Sequence, residues 1–333
     1  MKVKKWICLC LALALLTGCG GPAAPGGTET VPRTETAAGT EAPPRTETAP
    51  QTETAPQTEA PQPEFRFTRE NFPRLDGSTA CLPMAEAVCS VLLGESREAV
   101  QDLIHFNRTT QSYRNLMEGS CDLLLASIPS AGVFTEMEKA GFQYDMEQLC
   151  SDALVFLVNE SNPVENVTTE QLQGIYTGQI TNWKELGGED VPIIPLQRNE
   201  GAGSQALMRK LVMGDLEMMQ APPEYAPGEM GMLMEAVKSY DASANAIGYS
   251  VFYYAHDMEM ARGLKLLKVD GVEPNRETIR RGEYPHLSAY YCVIPHETPA
   301  DSPIRILYEW LMTPDGQGLL EREGYVSMLG DGE

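Results

Sequence analysis

The chain has 333 residues and a formal charge of −22. An acid excess of that size argues against nucleic acid as a partner, because two polyanions repel at long range, and it obliges any anion site to win by local geometry. The apolar fraction, 42%, is ordinary in the mean but conceals three unlike segments.

The first segment is "MKVKKWICLCLALALLTGCGG". Lys2, Lys4 and Lys5 precede an apolar run from Trp6 to Leu16 that is too short for a comfortable membrane span and has the form of a signal peptide. It ends in Leu16-Thr17-Gly18-Cys19, which resembles a bacterial lipobox. Residues 1–19 are therefore expected to be a lipoprotein signal ending at a lipidated Cys19, which would attach the chain to a cell membrane. An ordinary secretory signal with an incidental Cys19 is the alternative. Residues 20–63 form the second segment, a run of hexapeptides such as TETAPQ. Pro, Thr and Glu without large apolar residues cannot bury a core, so a disordered, extended linker is expected, reaching on the order of 100 Å at about 3.1 Å per residue.

The third segment, 64–333, is long enough for two α/β lobes. "STACLPMAEAVCSVLLG" has helical spacing, "IHF" is a short strand, "TTQSYRNLMEG" a helix stopped by Gly119, and "CDLLLAS" a buried strand. "DALVFLVNES" is nearly all apolar, as a strand covered on both faces should be. "TTEQLQGIYTG" has a capping Thr and a Gly stop, and "VPIIPLQR" is a strand. "AIGYS", "LKLLKVDG" and "SAYYCVIP" supply further strands, and "SPIRILYEWLMTPDGQGLLEREGYV" two helices. The alternation predicts a mostly parallel sheet in each lobe. The methionine-rich stretch from Gly214 to Val237, Trp183 and Trp310 are expected to pack structurally, and the four histidines have no partner recognisable in sequence. Of the eight cysteines, five remain beyond the signal and Cys19, too odd a number for a complete disulfide framework; none has zinc spacing.

Four junctions place small hydroxyls or N–H groups where a strand meets a helix, the position at which open α/β sheets bind ligands. They are Asp76-Gly77-Ser78-Thr79-Ala80, Arg108-Thr109-Thr110, Ala126-Ser127, and the stretch "RNEGAGSQ" from Arg198 to Gln205. In the last, a guanidinium fork, a glycine-rich turn and a helix start stand together, the elements of an oxyanion cradle. Any one junction alone has a bland explanation, since Ser and Thr are common N-caps.

These motifs also resemble, in order and over nearly all of Phe65 to Val326, the substrate-binding subunit of bacterial phosphate ABC transporters. "DGSTA" is similar to the first anion loop, "TTQSYRNLMEGSCDLLLAS" to the second and third, and "GQITNWKELGG", "QRNEGAGSQ", "AIGYS" and "GQGLLEREGYV" to later family segments. The resemblance implies an α/β, two-lobed type II periplasmic-binding-protein fold with two crossover strands, near Val155–Asn159 and Ser288–Val293. Lobe I would comprise 64–157 and 286–333, and lobe II 158–285. It further implies phosphate or a similar oxyanion as ligand, an ABC permease as partner, a monomer, and no cofactor, metal or catalysis. Carried over by residue, the hydroxyls of Thr79, Thr109 (with Thr110 beside it) and Ser204, the N–H groups of Ala80 and Gly203, and the Arg198 guanidinium would hold the anion.

Two departures from the family pattern stand out. Ser127 occupies the place of an aspartate that accepts the proton of hydrogen phosphate, which weakens discrimination against sulfate. Ala202 stands where a second hydroxyl donor is common; one lost hydrogen bond to a charged group is worth roughly 1.5–3 kcal/mol. Glu200 is the nearest replacement acceptor in sequence, although a solvated turn is its commoner role. A surface sensor that has changed or lost its ligand, and a secreted phosphatase, are the competing readings; against the latter, no G-x-S-x-G elbow or histidine beside a serine is present.

Overall fold

The computed structural model describes residues 65–221, 230–238, 245–258 and 262–329. The expected signal, Cys19 and the linker up to 63 lie outside them, as does part of the methionine-rich stretch.

Strand β1 (Leu75–Gly77) is buried along its length and runs through a single turn, Thr79–Cys81, into helix α1 (Leu82–Leu93). Pro83 sits in the first turn of α1, where its missing N–H costs nothing, and Gly94 ends the helix in the left-handed conformation at φ 68°. After the short α2 (Arg97–Val100) comes α3 (Arg108–Met117), then β2 (Leu123–Ala126) and α4 (Ala131–Ala140). The segment "IHF" contributes one isolated bridge, Ile104 to Leu75, rather than a strand.

The 16-residue β3 (Tyr144–Asn159) organises the rest. Beyond it lie β4 (Asn166–Val167), α5 (Thr169–Thr177), β5 (Ile194–Pro195), α6 (Gly203–Leu207), α7 (Met230–Lys238) and β6 (Ala246–Val251). The chain continues through α8 (Phe252–His256), β7 (Leu264–Leu266), β8 (Lys268–Val269), α9 (Arg276–Arg280) and β9 (Leu287–Pro295). It closes with α10 (Pro303–Met312), α11 (Pro314–Arg322) and β10 (Val326–Ser327). The capping Thr of α5 is Thr168, which exchanges hydrogen bonds with Gln171 in a full capping box, and Gly178 is the stop at φ 80°.

The main sheet runs β1-β2-β9-β3-β6-β5, with β7 and β10 also pairing β3. Tyr144 to Ala153 pair with β9, whereas Leu154 to Val158 pair with β6, so β3 changes partner in mid-strand and belongs to both lobes. At the same level Leu154 N–H donates to His286 C=O (2.9 Å), where the second crossing segment enters β9. The crossings thus fall slightly N-terminal to the spans expected from sequence: Val155 to Val158 are already in the β6 ladder, Asn159 pairs with β7, and Tyr291 to Val293 pair with β2 in the first lobe.

The expectation of mostly parallel sheets is corrected. Only β1–β2 and β5–β6 in the main sheet are parallel, the products of helix crossovers; β2–β9, β3–β9, β3–β6, β3–β7 and β3–β10 are antiparallel. The long connecting strands return between lobes, and a returning strand must run opposite to its neighbours. Ala153 to Val158 are fully buried, the reason for their apolar run. All five described cysteines are free and buried, packed as small apolar groups. Trp183 is buried and donates from Nε1 to Asn245 C=O (2.8 Å). Three histidines do have partners: His296 with Asp145 (2.6 Å), His256 with Asp257 (3.4 Å) and buried His286 with Thr169 (3.1 Å). Sequence could not reveal these because each pair is brought together by tertiary packing or by side-chain orientation.

Candidate functional site

The strand ends β1, β2 and β5 and the helix starts that follow them open on one cavity of about 270 Å³. Its wall includes Ser78, Thr79, Ala80, Thr109 and Ser127 from the first lobe, and Arg198, Ala202, Gly203 and Ser204 from the second. Nine of the ten residues singled out in sequence therefore share one cleft. The tenth, Thr110, stands with Arg114 and Gly201 in a neighbouring groove, because successive residues of a helix point about 100° apart.

The first lobe's hydroxyls form a linked set. Ser78 Oγ lies 2.8 Å from Thr109 Oγ1 and 3.5 Å from Ser127 Oγ, and accepts from Ser127 N–H at 3.0 Å. Since Ser78 is engaged in this way, it makes no side-chain cap to the helix it precedes, and the first-turn residues Thr79 and Ala80 face the cleft without that competitor. Behind the set, the buried Asp76 carboxylate accepts from Gly77 N–H (2.7 Å), Asn107 N–H (2.6 Å), Asn107 Nδ2 (2.9 Å) and Asn115 Nδ2 (2.7 Å). It ties β1 to the start of α3 and so fixes Ser78 against Thr109. Tyr113 Oη donates to Ser127 C=O (3.1 Å), and burial raises the phenol's pKa, keeping it a neutral donor.

Across the cleft, Arg198 is buried at 6% exposure. Its backbone N–H donates to Tyr249 Oη (3.0 Å) and Gln205 Oε1 (3.2 Å), and Tyr249 in turn donates to Gln205. Two buried side chains thus hold the arginine's backbone while the guanidinium reaches the cavity. Ser204 Oγ is buried and, among the described residues, has no hydrogen-bond partner. A hydroxyl left in that state costs free energy unless a ligand completes it. The expected helix start here is only the five residues of α6, which passes directly into a π-helical turn, Met208–Met213, so this wall of the cavity presents Arg198, Ser204 and a turn more than a helix end. Glu200 pairs instead with Arg209 at 2.6 Å on the surface and does not line the cleft.

Sequence reasoning missed six lining residues: Arg108, Met230, Gly231, Val251, Tyr254 and Tyr290. Arg108 was visible as the first residue of its junction, and its positive φ of 66° marks a backbone held in a sparsely populated region. The others come from distant segments. Met230 corrects the reading of its stretch as purely core: its Sδ lies 3.2 Å from Arg198 Nη1 at the cleft, while Leu233, Met234 and Val237 on the same helix are buried.

A cleft thus lies between two lobes joined by shared strands and is lined from both sides by hydroxyl and guanidinium groups. The chain belongs to the PBP superfamily, whose domain matches residues 68–312. Among curated relatives, it is 24% identical to the phosphate-binding protein PstS of Borreliella burgdorferi, covering 53% of this chain and 63% of that one. It is 26% identical to the protein of the same name from Bacillus subtilis, covering 63% and 66%. The chain thus spans just under two thirds of the length of the curated relatives it matches. Two solved structures share the fold. One is a Clostridium perfringens protein crystallised with bound phosphate (TM-score 0.60, 24% identity, 77% of this chain and 98% of that one). The other is an ABC-type phosphate transport receptor from Vibrio cholerae (TM-score 0.57, 20% identity, 76% and 98%). The architecture is accordingly the two-lobed type II periplasmic-binding-protein fold.

Proposed function

We propose that the protein is an extracytoplasmic solute-binding lipoprotein that captures phosphate, or a related tetrahedral oxyanion, between its lobes and delivers it to an ABC permease. The observation that carries this reading is the cleft itself: Arg198 and the buried Ser204 hydroxyl, without a partner among the described residues, face the Ser78–Thr109–Ser127 hydroxyl set. A dehydrated dianion is stabilised by many aligned donors in a closed site. The names of the relatives, phosphate-binding proteins and a phosphate transport receptor, support phosphate as the first candidate. In this reading Ser78, Thr79, Ala80, Thr109, Ser127, Arg198, Ala202, Gly203 and Ser204 surround the ligand, and Thr110 stands apart in the neighbouring groove.

Lobe I is proposed as 64–157 with 286–333, and lobe II as 158–285; the change of partner along β3 supports a division near the first of these boundaries. The lipobox supports attachment through Cys19, with 20–63 as a spacer; among the described residues no helix is long and apolar enough to cross a membrane. The carrier acts as a monomer without cofactor or catalysis, by differential affinity between open and closed lobes. Calorimetric titration of the anion-stripped protein with phosphate and then sulfate tests the proposal. Binding of either keeps an oxyanion carrier, and binding of no tetrahedral anion overturns it in favour of a sensor that has lost its ligand.

A further inference from the structure

The cavity is larger than a tetrahedral anion needs. Such an anion has five heavy atoms, whereas a cavity of about 150 Å³ already holds a six-carbon ring. The cleft, partly open to solvent, offers about 270 Å³. The surplus is not the gap of a splayed pair of lobes, since Gly203 already touches the far side: a Cβ there would lie 2.5 Å from Thr109 Oγ1.

The wall of the cavity is chemically divided. Beyond the hydroxyl and arginine set it consists of Met230, Gly231, Val251, Tyr254 and Tyr290. Met230 Sδ meets Arg198 Nη1 at 3.2 Å, so this part adjoins the anion cradle directly. Tyr290 is 1% exposed, and its hydroxyl lies beside the buried Asp152 carboxyl behind the wall.

The protons point the same way. Among the described residues no carboxylate lines the cleft, and Ser127 stands at the strand end where an acceptor would receive a P–OH proton. The dianion of inorganic phosphate keeps such a proton. A phosphate monoester loses its last one at a pKa near 6 and is then a pure acceptor, as a phosphonate dianion is. A cradle of hydroxyls, N–H groups and arginine suits a pure acceptor best.

We propose that the cleft takes a phosphoryl dianion bearing a short organic substituent, a phosphate monoester or a phosphonate, with the phosphoryl group between Arg198 and the hydroxyl set and the substituent against Met230, Val251, Tyr254 and Tyr290. This rests on the oxyanion reading of the same cleft. It is tested by calorimetric titration of the full chain at pH 8, after anion stripping, with glycerol 3-phosphate, 2-aminoethylphosphonate, inorganic phosphate and sulfate. One organic probe is expected to bind at least tenfold more tightly than either inorganic anion, and which one does so separates ester from phosphonate. Gly231→Leu, which fills the apolar part, is expected to reduce that preference at least tenfold. Val251→Phe, which fills the same part from another side, is expected to reduce it severalfold and gives an independent reading if the first variant folds poorly. Tighter binding of inorganic phosphate, or of sulfate, than of both organic probes overturns this inference and leaves the oxyanion carrier standing. Binding of none of the four overturns both.

Discussion

Gly203 of the second lobe and Thr109 of the first meet so closely that a Cβ on the glycine would stand 2.5 Å from the threonine Oγ1 and 3.4 Å from Ser127 Oγ. Thr109 cannot simply turn aside, because its hydroxyl is held by Ser78 at 2.8 Å. Gly203→Ala is therefore expected to prop the lobes apart and weaken anion binding at least tenfold. The thermal midpoint of the anion-free protein should change little, since the separated lobes lose only this contact. Calorimetry paired with a melting curve checks both halves, and unchanged affinity would show that the contact is not part of the bound state.

Arg198 brings the buried positive charge. Replacing it with alanine leaves the ligand one or more charge-assisted hydrogen bonds short, each worth roughly 1.5–3 kcal/mol, or about one to two powers of ten in affinity. Arg198→Ala is expected to weaken binding by at least that much. Arg198→Lys should recover part of the charge but not the forked geometry. An unaltered titration would move the site elsewhere.

Ser127→Asp introduces a carboxylate beside Ser78 Oγ and below Tyr113. A carboxylate accepts the proton of hydrogen phosphate and repels any anion without one. The variant is expected to raise the preference for inorganic phosphate over sulfate at least tenfold and to disfavour ester dianions. Competition titrations at pH 8 measure both effects, and an unchanged preference would mean that the anion does not touch position 127.

Asp152 lies on β3 one residue before the strand changes partner, fully buried, with Oδ1 accepting from Ala153 N–H (2.7 Å) and Tyr253 N–H (3.2 Å). Burial raises its pKa from 3.8 to about 6 despite those bonds. A carboxyl that is a weaker acid when folded destabilises the native state wherever it must ionise. The cost is absent below about pH 3.8, grows between the two values and is complete above about pH 6, where it amounts to about 3 kcal/mol. Acidification from pH 8 to 5 is expected to raise the melting temperature more in the parent protein than in Asp152→Asn. His286 acts with the opposite sign: burial lowers its pKa below 6.5, so its share of stability is lost as pH falls through that region. Its loss is common to both proteins, which leaves their difference assignable to Asp152.

Much of the site was legible because its residues occur in short contiguous motifs. Ser78-Thr79-Ala80, Thr109, Ser127 and Arg198 to Ser204 each sit where a local pattern announces that a strand ends and a helix begins. Tyr254 and Tyr290 carried no such mark. They belong to α8 and β9, and their relevance arises from the folding of remote segments onto the same cavity. Asp76 reads in sequence only as the start of a loop, yet it holds two segments together through Asn107 and Asn115, a role that depends on partners about 30 to 40 residues away.

The sequence by itself determined most strand and helix positions, the caps at Thr168 and Gly178, the lack of a complete disulfide framework among five cysteines, and an α/β chain long enough for two lobes. These follow from periodicity, turn chemistry, charge and contiguous motifs, all of them local properties. The tertiary structure alone decided the antiparallel character of the sheet, the point at which β3 passes between lobes, the contact of Gly203 with Thr109, and the volume and divided lining of the cleft. Those depend on which strand lies beside which and on how far two lobes close, and such distances are set by packing of the whole core rather than by any stretch of chain.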